Sequence, residues 1–173
     1  LAAGAASDVV LSATGIDKAF FGVQVLHDVS FDVVQGEVHG LVGENGAGKS
    51  TLMKVLAGVH QADAGSIEFA GQTVAFTHPL QAMNAGLVTV FQEFNLLPER
   101  TVAQNVYLGR EPLKGGLIDK KTMIARTRAI LDDLGVDFIE PTERVGSLTV
   151  AEQQIVEIVK ALSFDARVIS MDE

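Results

Sequence analysis

The stretch Gly43-Glu44-Asn45-Gly46-Ala47-Gly48-Lys49-Ser50, followed by Thr51, constrains this chain more than any other part of it. It fits G-x-x-x-x-G-K-[ST], and its flanks agree with that pattern. Glu37-Val38-His39-Gly40-Leu41-Val42 ahead of it alternates and is rich in β-formers, which predicts a strand. Thr51 to Ala57 behind it has helical spacing. Strand, glycine loop and helix in that order make a cradle for phosphate oxygens. The glycines let successive backbone N–H groups converge without a Cβ in the way. Lys49 adds a point charge for β- and γ-phosphates, and Ser50 offers a hydroxyl to Mg²⁺.

The 173 residues are enough for one domain with a sizeable core. Hydrophobic residues make up 47%, but they fall in short segments. None approaches the roughly 20 apolar residues that span a bilayer. Residues 1–7 are small and lack a basic start, so they read as a chain terminus rather than a signal peptide. The net charge of −9 argues against a nucleic-acid partner, which needs a basic face. It leaves room for a nucleotide, which needs only a local positive site. Without cysteine there are no disulfides or thiolate metal sites, which suits a reducing compartment.

Val9–Ile16 and Val29–Val34 read as the first strands, the latter joined to the cradle strand across Gln35-Gly36. Ser66–Phe69 and Thr73–Thr77 read as a hairpin turning at Ala70-Gly71-Gln72. Pro79 starts a helix that stops near Gly86, and Leu87–Phe91 is a buried strand. The second half changes character. Thr101 and Thr149 each open a capping box, and an amphipathic helix runs from about Lys120 to Leu134, ending at Gly135. Arg167–Met171 returns as a strand. A helical insert within a phosphate-binding α/β core accounts for this order.

Three further features bear on chemistry. Asp172 and Glu173 close the last strand, where one acid can hold Mg²⁺ and a neighbour can orient or deprotonate a water. Gln92 follows the buried strand directly, as either a metal-reaching amide or a plain polar strand end. Phe20 and Phe21 precede the second strand, as either core or a platform for adenine. The Thr149 helix start is either a cap or an anion site.

Together these pieces resemble the nucleotide-binding domain of ABC transporters, over almost the whole chain. The order is that family's: Phe20 as adenine-stacking aromatic, the Walker A loop Gly43–Thr51, Gln92 as Q-loop, the signature at Leu148, and the Walker B strand into Asp172-Glu173. The runs Gln92–Pro98, Tyr107–Glu111 and Gln153–Leu162 resemble the N-terminal cassette of bacterial sugar-import ATPases of the ribose, xylose and galactose type. The resemblance implies an α/β P-loop NTPase (ABC ATPase) core with an antiparallel β subdomain and a helical insert. Residues 1–93 are expected to form the β subdomain and core, 94–164 the insert and signature helix, and 165–173 the Walker B strand. It implies ATP and Mg²⁺ as cofactors. Gly43, Glu44, Asn45, Gly46, Ala47, Gly48, Lys49, Ser50 and Thr51 would bind the phosphates. Ser50, Gln92 and Asp172 would arrange the metal. Glu173 would act as general base, with Gln92 and Lys49 also catalytic, and Thr149 would reach a partner cassette's nucleotide.

The implied setting is the cytoplasmic face of a bacterial cell membrane. The implied partners are a second cassette, permease subunits and a sugar-binding protein, and no nucleic acid. Two departures stand out. The family signature Leu-Ser-Gly-Gly-Gln reads Leu148-Thr149-Val150-Ala151-Glu152 here, so both glycines are replaced. The chain ends at Glu173, before the D-loop and switch histidine that the family places next, and is expected to be C-terminally truncated relative to it. Competing readings are a nucleotide-binding module without hydrolysis and a soluble, non-transport ABC ATPase. The acidic balance counts against the latter acting on ribosomes or DNA.

Overall fold

The computed structural model describes residues 9–91 and 95–171. It divides into two compact units. Among the described residues, one comprises 9–89 with 167–171, the other 90–91 with 95–166.

The first unit is built on a four-stranded antiparallel sheet. Its strands are β1 (Val9–Phe20), β2 (Val23–Val34), β3 (Ala64–Phe69) and β4 (Gln72–Val74), in the order β2-β1-β3-β4. β1 and β2 run longer than the sequence suggests, twelve residues each, and meet across the Phe21-Gly22 turn. Leu11 and Ala13 of β1 are buried in step, but the next buried residue is Ile16, not residue 15. A bulge explains the slip. Between Ala13 and Ile16 the strand advances three residues while β2 advances two, from Phe31 to Val29. The extra residue returns Ile16 to the core face. Gly15, at φ +62, makes the bend, and its N–H donates to Ser30 Oγ at 2.8 Å. Gly65 of β3 lies against the bulge: a Cβ there would be 2.4 Å from Gly15 O. The β3–β4 turn is the two-residue Ala70-Gly71 pair, both with positive φ (52 and 76), as a tight hairpin requires. Gln72, expected in the turn, pairs with Phe69 instead.

Helix α1 (Lys49–Leu56) buries Leu52, Val55 and Leu56 in this unit's core. Helix α2 (Pro79–Ala85) starts on Pro79 and ends at Gly86, φ +98. Strands β5 (Leu87–Val90) and β8 (Val168–Met171) pair with each other. Gly86 O accepts from Arg167 N and Val168 N at 2.8 and 3.1 Å. Further along, the Thr89 and Ser170 hydroxyls meet at 2.7 Å. Both chains advance the same way between these contacts, so the pair is parallel.

One expectation fails. Glu37–Val42 is not a strand: no described residue joins it in a ladder, and Val38 and Val42 are 99% and 94% exposed. An alternating β-rich run becomes a strand only when a neighbour takes its N–H and C=O groups. The turn before it does form, with Gly36 at φ +78 and Glu37 N donating to Val34 O at 3.2 Å.

The second unit is helical. Helix α3 (Val102–Val106) opens on the Thr101 capping box. A short hairpin of β6 (Leu113–Lys114) and β7 (Leu117–Ile118) follows, which the sequence reading missed. Helix α4 (Lys120–Asp133) is capped by Asp119, whose carboxylate accepts from Thr122 N at 3.0 Å. A 3-10 turn (Val145–Ser147) leads into helix α5 (Val150–Leu162). Val102, Val106, Leu131, Ile139, Val156 and Val159 form the fully buried centre of this unit. Arg110 fastens two helix ends, donating to Val106 O (2.9 Å) and Ser163 O (3.0 Å) while its guanidinium lies over the Phe164 ring. A cation at two helix C-termini suits their dipoles.

Candidate functional site

The cradle has the local geometry its glycines imply. Gly46 and Gly48 take left-handed φ of +85 and +91, and Ala47 N donates to Glu44 O at 3.1 Å, closing the loop. Gly48 is the N-cap of α1, and Leu52 N reaches back to Gly48 O at 2.9 Å. A Cβ on Gly48 would stand 2.8 Å from both Val25 O and Leu26 Cδ2 of β2. That position therefore needs glycine twice, for its backbone angle and for the closeness of β2. A Cβ on Gly43 would sit 3.3 Å from that of Ala47, so the loop is drawn in tightly there too.

Lys49, the first residue of α1, folds back over the loop. Its Nζ donates to Gly43 O at 2.8 Å and Glu44 O at 3.0 Å. The ammonium thus sits at the mouth of the loop, held by carbonyls that a phosphate oxygen can replace. Ser50 and Thr51 occupy the first turn of α1, and its first N–H groups are the ones a helix leaves open to an anion. Residues Gly43 to Ala47 are all exposed, so the cradle is open to a ligand. These residues fit a nucleotide's phosphates, because left-handed glycines, an exposed loop and the Lys49 ammonium at its mouth meet at the start of a helix.

Phe20 and Phe21 differ sharply. The Phe20 ring packs edge-on against His60, centroids 5.0 Å apart, with Lys18 Nζ 5.4 Å from its centroid. Lys18 in turn pairs with Asp63 at 2.7 Å, and that pairing, aided by Ala19 N, holds the Asp63 carboxyl below its usual range. Phe21 is fully exposed on a strained backbone, φ +51. Both aromatics belong to the strand pair that carries Val25 and Leu26 to Gly48.

Thr149 is the N-cap of α5, as expected, and its hydroxyl is engaged within the chain. Thr149 N donates to Glu152 Oε2 at 2.7 Å, Thr149 Oγ1 lies 2.8 Å from the same oxygen, and Glu152 N donates back to Thr149 Oγ1 at 3.4 Å. The backbone N–H of Thr149, then its hydroxyl, lowers the Glu152 carboxyl below its ordinary value. Gln92, Asp172 and Glu173 lie outside the described residues, so their positions are not part of this geometry. Among the described residues no cluster of three His, Cys, Asp or Glu side chains forms a metal site. None of their helices is long and apolar enough to cross a membrane. Glu157 and Lys160 on α5 hold the backbone of Asn95, and Asn105 holds Leu97; the sequence reading gave these no role. Their one signal was polar side chains on otherwise apolar helix faces.

A left-handed glycine cradle opening a helix, together with an antiparallel sheet, a parallel strand pair and a helical unit, defines a P-loop α/β protein. The chain belongs to the ABC transporter family, whose pattern matches residues 26–173. It is 48% identical to the arabinose import ATP-binding protein AraG of Rhizobium etli over 163 residues, 94% of this chain and 32% of that protein. It is 50% identical to a putative ribose/galactose/methyl galactoside import ATP-binding protein of Agrobacterium fabrum, covering 95% of this chain and 32% of the relative. A ribose import ATP-binding protein, RbsA 2, of Streptomyces avermitilis is 49% identical over the same shares. The chain thus spans 32% of the length of these curated relatives.

Among solved structures, a nucleotide-free ATP-binding cassette from an ABC transporter superposes with a TM-score of 0.81 at 29% identity. It covers 95% of this chain and 69% of that one. The ADP conformation of an ABC transporter cassette gives the same TM-score and identity, covering 95% and 68%.

Proposed function

We propose that this chain is the nucleotide-binding part of an ABC importer and couples MgATP binding and hydrolysis to carbohydrate uptake. The observation that carries the reading is the Gly48–Lys49 cradle: a left-handed glycine wedged against β2, and a lysine held by loop carbonyls. The names of its relatives support the import role and the sugar class.

In this reading the loop amides from Gly43 to Thr51 bind the phosphates. Lys49 exchanges its loop carbonyls for β- and γ-phosphate oxygens. Ser50, Gln92 and Asp172 would hold Mg²⁺, which supplies charge neutralisation on those phosphates when bound. Glu173 takes a proton from the attacking water, with Gln92 helping to orient that water. Phe20 stacks the adenine, braced from one side by His60. Thr149 faces the nucleotide of a second cassette, fused or separate. The partners are that cassette, permease subunits and a sugar-binding protein, and the protein lies at the cytoplasmic face of the membrane. Residues 1–93, 94–164 and 165–173 form the β subdomain with P-loop core, the helical insert with signature helix, and the Walker B strand.

The test is Glu173→Gln in the protein. We expect MgATP affinity to be retained and turnover to be nearly abolished. Unchanged hydrolysis would remove Glu173 from its role.

A second reading is a module that binds nucleotide without hydrolysing it. It is favoured by the Thr149 hydroxyl already being engaged by Glu152, with Val150 and Ala151 where the family has glycines. Tight binding by wild-type protein with no turnover, even beside its partner cassette, would establish that reading instead.

A further inference from the structure

The backbone from Asn95 to Thr101 begins just past Gln92 in sequence and is stitched at one end to α5 and at the other to the 3-10 turn that leads into it. At one end, Asn95 N donates to Glu157 Oε1 at 2.9 Å, and Lys160 Nζ donates to Asn95 O at 3.2 Å. At the other, Gly146 N donates to Pro98 O at 2.9 Å and Val145 N to Arg100 O at 3.0 Å, immediately before the Thr149 cap. A Cβ on Gly146 would lie 3.1 Å from Pro98 O, so the two backbones touch. Between these points the buried Asn105 side chain takes both backbone groups of one residue, Leu97. Its Oδ1 accepts from Leu97 N at 2.7 Å and its Nδ2 donates to Leu97 O at 3.0 Å.

Glu157 and Lys160 are a costly way to hold a loop if stability is all they serve. Their side chains are only 13% and 18% exposed, and their mutual contact is a loose 3.8 Å. They direct their hydrogen bonds at one residue's backbone rather than at each other. A buried ion pair is weak evidence for stability, and in some proteins such pairs serve to fix geometry.

We propose that Glu157 and Lys160 are positioning residues: they bind the 95–101 segment to the signature helix, so that Thr149 follows that segment as one body. The proposal rests on the reading of this chain as an ATP-hydrolysing cassette. It adds a link that aligns the Thr149 end of α5 without touching nucleotide.

The test compares wild type, Glu157→Ala and Glu157→Gln in the purified protein, by amide hydrogen exchange and by MgATP affinity and turnover. Losing a hydrogen bond to a charged acceptor should raise exchange at Asn95 about tenfold or more in Glu157→Ala. Turnover should fall by a similar factor while MgATP affinity stays within about twofold, since the cradle is unaltered. Glu157→Gln keeps an acceptor oxygen and should restore both readouts. Wild-type exchange at Asn95 in Glu157→Ala overturns the proposal. So does unchanged turnover, or affinity and turnover falling together. If wild type shows no turnover at all, the functional reading fails, and Asn95 exchange alone then decides the clamp.

Discussion

At Gly48 a single methyl group would meet Val25 O at 2.8 Å and Leu26 Cδ2 at 2.8 Å, on a backbone at φ +91. Gly48→Ala therefore carries both a steric and a torsional cost, about 1–3 kcal/mol together. Denaturant unfolding should show the loss, and MgATP affinity should fall with it; an unchanged midpoint would contradict the closeness of β2 to the cradle. Gly65 is tighter still: a Cβ there would lie 2.4 Å from Gly15 O and 2.6 Å from Thr14 O. Gly65→Ala should cost about 3 kcal/mol by the same measurement, because the β1 bulge has no room to retreat. Gly48 was marked by the cradle motif, but its closeness to β2 was not, and nothing in sequence marked Gly65. Gly65 matters because the bulge at Gly15 brings another backbone against it, and that approach is set by pairing across fifty residues.

Among the elements, α5 depends on its first turn. Thr149→Ala removes the hydroxyl that accepts from Glu152 N and should cost about 1 kcal/mol in thermal or denaturant unfolding. The same box gives a pH dependence. Glu152 has its carboxyl lowered in the folded chain by the Thr149 N–H and hydroxyl. Its contribution is therefore present above the ordinary glutamate value and is lost as pH falls through the lower folded one. Amide exchange at the start of α5, corrected for intrinsic pH effects, should rise in that acidic window. In Glu152→Gln it should not.

Both capping boxes were legible in sequence because a cap is local: Thr101 with Gln104, and Thr149 with Glu152, need only three residues' spacing. The Pro79 start and Gly86 stop of α2 were legible for the same reason. Strand extents were not. β1 and β2 reach Phe20 and back from Val23 because they pair with each other, which no single run reveals. Glu37–Val42 has the composition of a strand and no described partner to make it one. The Leu113–Ile118 hairpin, with two residues per strand, is too short to show a period. In the site, the cradle residues were legible because the motif encodes a backbone path. The Glu157–Lys160 hold on Asn95 was not, because it joins residues more than sixty positions apart.

Across the whole molecule, each unit has its own buried cluster, one around Ile16, Leu52 and Phe69 and one around Val102, Leu131 and Val156. Leu131 is completely buried, so Leu131→Ala should cost about 2–5 kcal/mol within the helical unit. Exchange protection should drop chiefly in residues 95–166, while β1 to β3 keep theirs; a uniform loss over both units would contradict two separate cores. The charge of −9 needs one local exception to receive a nucleotide, and Lys49 at the cradle supplies it.

The most direct measurement is a titration of MgATP against wild type and Lys49→Ala, read by calorimetry at fixed ionic strength. We expect saturable one-site binding by wild type and an affinity at least about tenfold weaker in Lys49→Ala, the scale of a charge-assisted contact to phosphate. Equal affinities, or no binding by folded wild-type protein, would contradict this.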